Sequence, residues 1–309
     1  MSFEAFNAVL LCVFVAVPVV MLLVLRRDSW GTTAVYRMSV RAKLPIESWD
    51  MWRSIRDRSR TLIRANMWGL LFSVVLMAAL LVWTPIGSSP FAMWILTLTL
   101  VIGVLSIASA IVGVRERLFS PAPRAVRIAR PAALRVRDYL PLWAAQLPLW
   151  LLVAAALACT ALGAVTLAGA IAPGTAITAA TAFVFALLVA VVCRAAERRV
   201  LAQPQPATNT LELAWDDLFR SDALGALRMS AAMAAWLPVG LAASSLLLAA
   251  VGYAAPDLSR LLTTFPWFGI PFIQVGYTLA AGRLPAALYP GYLRPAPEAA
   301  ATSPGGARA

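Results

Sequence analysis

Apolar residues run along this chain in seven long blocks, at 6–25, 65–83, 91–114, 140–162, 176–196, 229–253 and 263–281, with charge kept to the stretches between. Each block comes near the ~20 residues that a helix rising ~1.5 Å per residue needs to cross a ~30 Å hydrocarbon core. The apolar run from 140 to 172 is too long for one span. The pattern predicts a break near Gly163, where "GAVTLAGAIAPGT" brings in glycines and Pro173. The expected fold class is all-α: a polytopic transmembrane helix bundle of about seven spans, one leading helix plus three hairpins, with cytoplasmic amphipathic helices between. Residues 1–295 form the transmembrane domain. Residues 296–309, small and proline-rich, are expected to be a disordered cytoplasmic tail.

Charge orients the bundle. No basic residue precedes the first block and Arg26 and Arg27 follow it, so the block reads as a span with its N-terminus outside rather than a cleaved signal. Alternating from there, 26–64 carries ten basic residues inside, "TPIGSSP" none outside, 115–138 seven inside and 163–175 none outside. Of the 26 basic residues only Arg260 falls on an outer loop. The expected location is a bacterial cell membrane, multi-pass, with the C-terminus cytoplasmic. Arginine and alanine bias suits a GC-rich bacterial genome.

Composition agrees and removes several kinds of chemistry. The chain of 309 residues is 61% hydrophobic and 13% charged, with mean hydropathy +0.80; soluble domains carry about twice that share of charge. Histidine, the commonest general base and zinc ligand, is absent. Cys12, Cys159 and Cys193 lie far apart inside apolar runs and read as small buried hydrophobes. No metal site and no cofactor is expected.

Two charged segments stand out. In "ELAWDDLFRSDAL", Glu212, Asp216 and Arg220 fall at i, i+4, i+8 and form a ladder, with Thr210 placed to cap the helix. Leu211, Trp215, Leu218, Phe219 and Leu224 lean to another side, which predicts an amphipathic helix near the membrane surface with a solvated acidic face. The functional alternative uses Asp216, Asp217 and Asp222 as a partner contact or a magnesium-dependent diphosphate contact. Asp216 and Asp217 point ~100° apart on a helix, and no second aspartate-rich cluster completes a clamp. In "PIESWDMWRSIRDRSRTLIRANMW", Trp49, Trp52, Arg53, Arg56 and Arg60 have the mixture an interfacial helix uses against anionic lipid. Lipid contact is expected there, with a docking nucleotide-binding partner next and nucleic acid excluded.

The first two hairpins end alike, "RERLFSPAP" and "ERRVLAQPQP", coupling arginine to a Pro-x-Pro stop. The longer stretch "ERRVLAQPQPATNTLELAWDDLFRSDAL" resembles an uncharacterised actinobacterial polytopic integral membrane protein family in Arg198, Arg199, Pro204, Pro206, Asp216, Asp217 and Arg220. That resemblance implies an integral membrane protein and no particular activity.

No Asp, Glu, Lys or Arg lies well inside a block, contrary to the habit of proton-coupled transporters and voltage sensors. Gln274, Tyr277 and Thr278 share a face by spacing, Gln146 lies between Pro141 and Pro148, and Pro238 should break the sixth span. These polar groups are expected to pack helices together; lining a cavity for a neutral or apolar substrate is the functional alternative. The functional expectation is a non-catalytic permease-like or accessory subunit of a transport system, with membrane lipids and a separate cytoplasmic ATP-binding subunit as partners. The chain itself has no phosphate-binding glycine loop. A lipid- or isoprenoid-modifying membrane enzyme and a structural envelope protein remain the alternatives.

Overall fold

The computed structural model describes residues 3–25, 28–83, 134–204, 209–251 and 269–280, with single positions at 101, 104, 108, 112, 207 and 288. Every regular element among the described residues is an α-helix: α1 (Phe3–Val24), α2 (Asp28–Ala42), α3 (Trp49–Trp83), α4 (Val136–Tyr139), α5 (Leu142–Leu167), α6 (Pro173–Ala202) and α7 (Thr210–Val251). Residues 269–280 make α8. Four of these, α3, α5, α6 and α7, are long and apolar enough to cross a membrane, and they overlap the second, fourth, fifth and sixth predicted spans. Among the described residues the protein is all-helical, with the apolar helices of a membrane protein.

The other three predicted spans are described only in part. The described apolar stretch of α1, Val15–Val24, is short of a full span. Positions 101, 104, 108 and 112 are helical, and the rest of 91–114 lies outside the described residues. So do 263–268, Arg26, Arg27, Pro206, Arg260 and the tail 296–309.

Contacts divide the chain into two compact units, the first Met1–Tyr139, Arg199–Leu224 and Gly282–Ala309, the second Leu140–Arg198 and Gly225–Ala281. In the first, α2 ends with Lys43 in the left-handed region (φ 55°). Leu44 N–H then donates to the Ser39 carbonyl at 3.2 Å and Lys43 N–H to that of Val40 at 3.3 Å, the paired bonds of a Schellman close. Ser48 Oγ accepts from Met51 N–H at 3.1 Å and starts α3. From there the helix continues without interruption through the basic segment into the second span. The core of this unit gathers Val35, Ala42, Leu44, Ile46, Met51 and Ile55 around Trp215, Leu218 and Phe219.

The second unit packs through small residues. Leu162, Ala179 and Ala242 form its core cluster, with Ala158, Cys159 and Ala176 against it. Gly269 of α8 lies so near the Trp236 indole of α7 that no Cβ would fit between them.

Three predicted breaks moved. α5 continues past Gly163 to Leu167, because Gly163 is tolerated inside the helix and the stop is Gly169 (φ 77°). Pro173 starts α6 rather than belonging to the loop, since a first-turn proline loses no intrahelical bond. Pro238 sits inside an unbroken α7, where it removes one hydrogen bond without ending the helix.

Candidate functional site

Each unit holds a buried polar cluster. The first is built on the beginning of α7. Asn209, rather than Thr210, caps that helix: its Oδ1 accepts from Glu212 N–H at 2.7 Å. Residues 213–221 are then buried on every side of the helix, which overturns the expected solvated acidic face. A polar helical face reads the same in sequence whether it meets water or the carbonyl groups of another segment.

Here it meets carbonyls. Arg220 Nε donates to Asp216 Oδ2 at 2.8 Å, one step of the predicted ladder. Its Nη1 donates to the Val200 carbonyl at 3.2 Å, and its Nη2 to those of Gln203 at 2.9 Å and Pro204 at 3.2 Å. These carbonyls lie at the C-terminus of α6, where backbone acceptors lack intrahelical donors and the helix dipole favours a cation. Arg220 is thus a helix cap supplied from a distance. In this chain the "VLAQP" carbonyls and the arginine after the aspartate pair come together in one contact.

Asp217, with 0% of its surface exposed, accepts from the Tyr139 hydroxyl at 3.0 Å. Ser221 Oγ donates to the Tyr139 carbonyl at 3.3 Å, so Tyr139 is held at both ends. Trp215 Nε1 donates to the Pro45 carbonyl at 3.1 Å. Asp222 is half-buried. Among the described residues no three Asp, Glu or Cys side chains converge as metal ligands would.

The second cluster lies around a proline in α5. Pro148 has no N–H, so the Ala144 carbonyl four residues earlier loses its helical donor. The Tyr277 hydroxyl of α8 supplies one at 2.6 Å. The next carbonyl, Ala145, accepts from Arg228 Nη1 at 2.7 Å. Arg228 also grips Glu197 of α6, with Nε–Oε1 at 2.6 Å and Nη2 donating to Oε2 at 2.8 Å. Arg194 Nη1 adds 3.1 Å to the same Oε2. Glu197 is 2% exposed, and its two-pronged arginine pairing compensates a desolvation that would otherwise exclude it.

This cluster takes one of the four predicted cavity residues. Tyr277 is buried, its ring 5.7 Å from that of Trp143, whereas its neighbours on α8, Gln274 and Thr278, are exposed. Gln146 is also exposed and accepts from Trp150 Nε1 at 3.4 Å. Of the three residues expected to share a face, only Tyr277 is buried. Glu197 and Arg228 were missed. A signal existed: Glu197 is one residue past the fifth block and Arg228 one before the sixth, so adjacent antiparallel spans would put them at one depth.

The basic segment forms the first half of α3. Met51, Ile55 and Ser59 are buried at four-residue spacing. Trp52, Arg56 and Arg60 are half-buried, and Trp49 and Arg53 are exposed. Arg56 lies over the Trp52 ring at 4.7 Å and Arg58 over Phe219 at 4.8 Å. Arg53 and Asp50 form an exposed pair at 3.8 Å, of the kind that contributes little. Comparison of the chain with protein families, curated proteins and solved structures finds no match.

Proposed function

We propose that this chain is a membrane-embedded accessory or permease-like subunit of a transport system in a bacterial cell membrane. Its N-terminus faces out, and its cytoplasmic helices receive a separate ATP-binding subunit. The observation that carries this reading is the use made of the acidic residues. Asp216, Asp217 and Glu197, the carboxylates best placed for chemistry near the inner surface, are buried and engaged by Arg220, Tyr139 and Arg228. A diphosphate substrate would have to displace those partners from inside the fold, whereas a scaffold that binds another protein needs them where they are. The loop-by-loop charge asymmetry supports the orientation.

The test is purification of the full chain from native membranes in mild detergent, with co-purifying proteins identified and counted. A stoichiometric ATP-binding chain is the expected result. A protein that comes alone and monodisperse, with magnesium-dependent lipid turnover lost in Asp217→Asn but folding retained, would overturn it in favour of an enzyme.

A further inference from the structure

The second unit gathers its charge in one place. Among its described residues four side chains are charged, Arg194, Glu197, Arg198 and Arg228. Arg228 takes both oxygens of Glu197, so the buried carboxylate is matched by one buried arginine. Arg194 shares Oε2 from outside at 3.1 Å, with 56% of its side chain exposed. Arg198 is exposed, and no other acid among the unit's described residues is there to pair with it. Two positive charges therefore stand on the surface of this unit without a negative charge of their own.

Face and depth decide what meets them. A helix turns ~100° per residue, which puts Leu187, Val191, Arg194 and Arg198 of α6 within an arc of ~60°. Leu187 and Val191 are exposed and apolar, whereas the buried line of α6, Ala179, Ala186, Cys193 and Glu197, runs along another side. One outward stripe thus changes from apolar to doubly basic within a turn. Arg194 lies two residues before the end of the fifth apolar block and Arg198 two residues after it. Both are then ~3 Å from the hydrocarbon edge, within reach of the headgroups for so long a side chain. A tryptophan marks the same level. Arg228 bonds Glu197 and the Ala145 carbonyl of α5 together, and Trp143, two residues from Ala145, is 49% exposed. Exposed tryptophans collect at the headgroup layer.

From the membrane plan alone, and independently of any transport role, we infer that the outer face of α6 binds one anionic phospholipid. Its acyl chain lies along Leu187 and Val191, and its phosphate lies between Arg194 and Arg198. Side chains four residues apart start ~6 Å from each other, close enough for two guanidinium groups to share one phosphate. The bond to Glu197 holds Arg194 in place before the lipid arrives, which lowers the ordering cost of binding. A phospholipid carries both chemistries the stripe presents, whereas a soluble anion has nothing to set against Leu187 and Val191. The basic half of α3 is built otherwise: Arg53 is paired with Asp50 and Arg56 with Asp57, so its charge is answered within the helix.

The experiment is native mass spectrometry of the full chain in neutral detergent, offered phosphatidylglycerol and phosphatidylcholine of identical chains at equal concentration. One phosphatidylglycerol should be retained, preferred about tenfold over the zwitterionic lipid. Arg194→Gln with Arg198→Gln should bring that preference to about unity, while Arg53→Gln with Arg56→Gln on α3 should leave it within about twofold. Should the α6 pair fail to fold, Arg198→Gln alone must lower the preference about threefold, since Arg198 takes no part in the Glu197 cluster. An unsubstituted chain with no preference, a preference that survives loss of both α6 arginines, or one that falls equally with the α3 pair would each overturn the inference. So would release of the lipid by millimolar inorganic phosphate, which would make this a site for a soluble anion.

Discussion

Arg220 and Arg228 lie two turns apart on α7, both nearly buried, yet they are satisfied in opposite ways. Arg220 spends three of its four contacts on neutral main-chain carbonyls at the end of α6, and its one carboxylate, Asp216, is on its own helix. Arg228 places its strongest contacts on a carboxylate of another helix, 31 residues away, and reaches one carbonyl of a third. Removing the first frees three acceptors at a helix end, of which the Gln203 and Pro204 carbonyls are only part-buried. Removing a partner of the second strands a charge where nothing replaces it. A buried arginine is therefore no measure of risk; the character and origin of its partners are.

The comparison makes unequal predictions. Glu197→Gln should be the most damaging, at about 3–5 kcal/mol, because Arg228 is left buried without its counter-charge. Adding Arg228→Met should return a large part of that loss in the same denaturation measurement. A Glu197→Gln variant as stable as the unsubstituted protein would erase the distinction. Arg220→Lys should cost less, about 2–3 kcal/mol, since one ammonium cannot bridge carbonyls on both sides of the α6 terminus and also hold Asp216. Limited proteolysis near residue 203 should rise with it, and an unchanged cleavage rate would mean the cap is not needed.

Tyr277→Phe should cost about 1–2 kcal/mol by leaving the Ala144 carbonyl without a donor. In a Pro148→Ala background, where the helix recovers its own N–H, the same substitution should be nearly silent. A double-mutant cycle with no coupling would deny that Tyr277 serves the proline break. The smallest effect separates neighbours: Asn209→Ala should lower stability by about 1 kcal/mol and Thr210→Ala by much less. Equal losses would mean the cap is shared.

What sequence conveys here follows from period and sign. Long apolar blocks must be helices in lipid, because no other open structure satisfies the backbone there, so the all-helical plan and the four spans in α3, α5, α6 and α7 were legible. Helix ends were less so. Gly163 and Gly169 look alike in sequence, and only the second adopts a positive φ. The Asp216–Arg220 step was readable because i, i+4 neighbours meet in any helix. The burial around it was not, since Trp215 is enclosed by residues from 35 to 55, far away along the chain. α2 was overlooked because its arginines merge with those of α3 into one basic stretch. Tyr277 was picked out for its polarity, but the Ala144 carbonyl it serves is main chain and leaves no letter in the sequence.

The bond from Tyr277 to Ala144 also imposes a schedule on biogenesis. Its two ends are 133 residues apart, and ribosomes deliver ~5–20 residues per second. α5 therefore waits roughly 7–27 s after synthesis for the hydroxyl that completes its backbone. Until then another donor, such as water, must serve that carbonyl. A nascent chain halted before α8 would expose an unfinished helix. The arrival of Tyr277 closes that interval, and a membrane protease would have it as the window in which to distinguish an abandoned chain from a finished one.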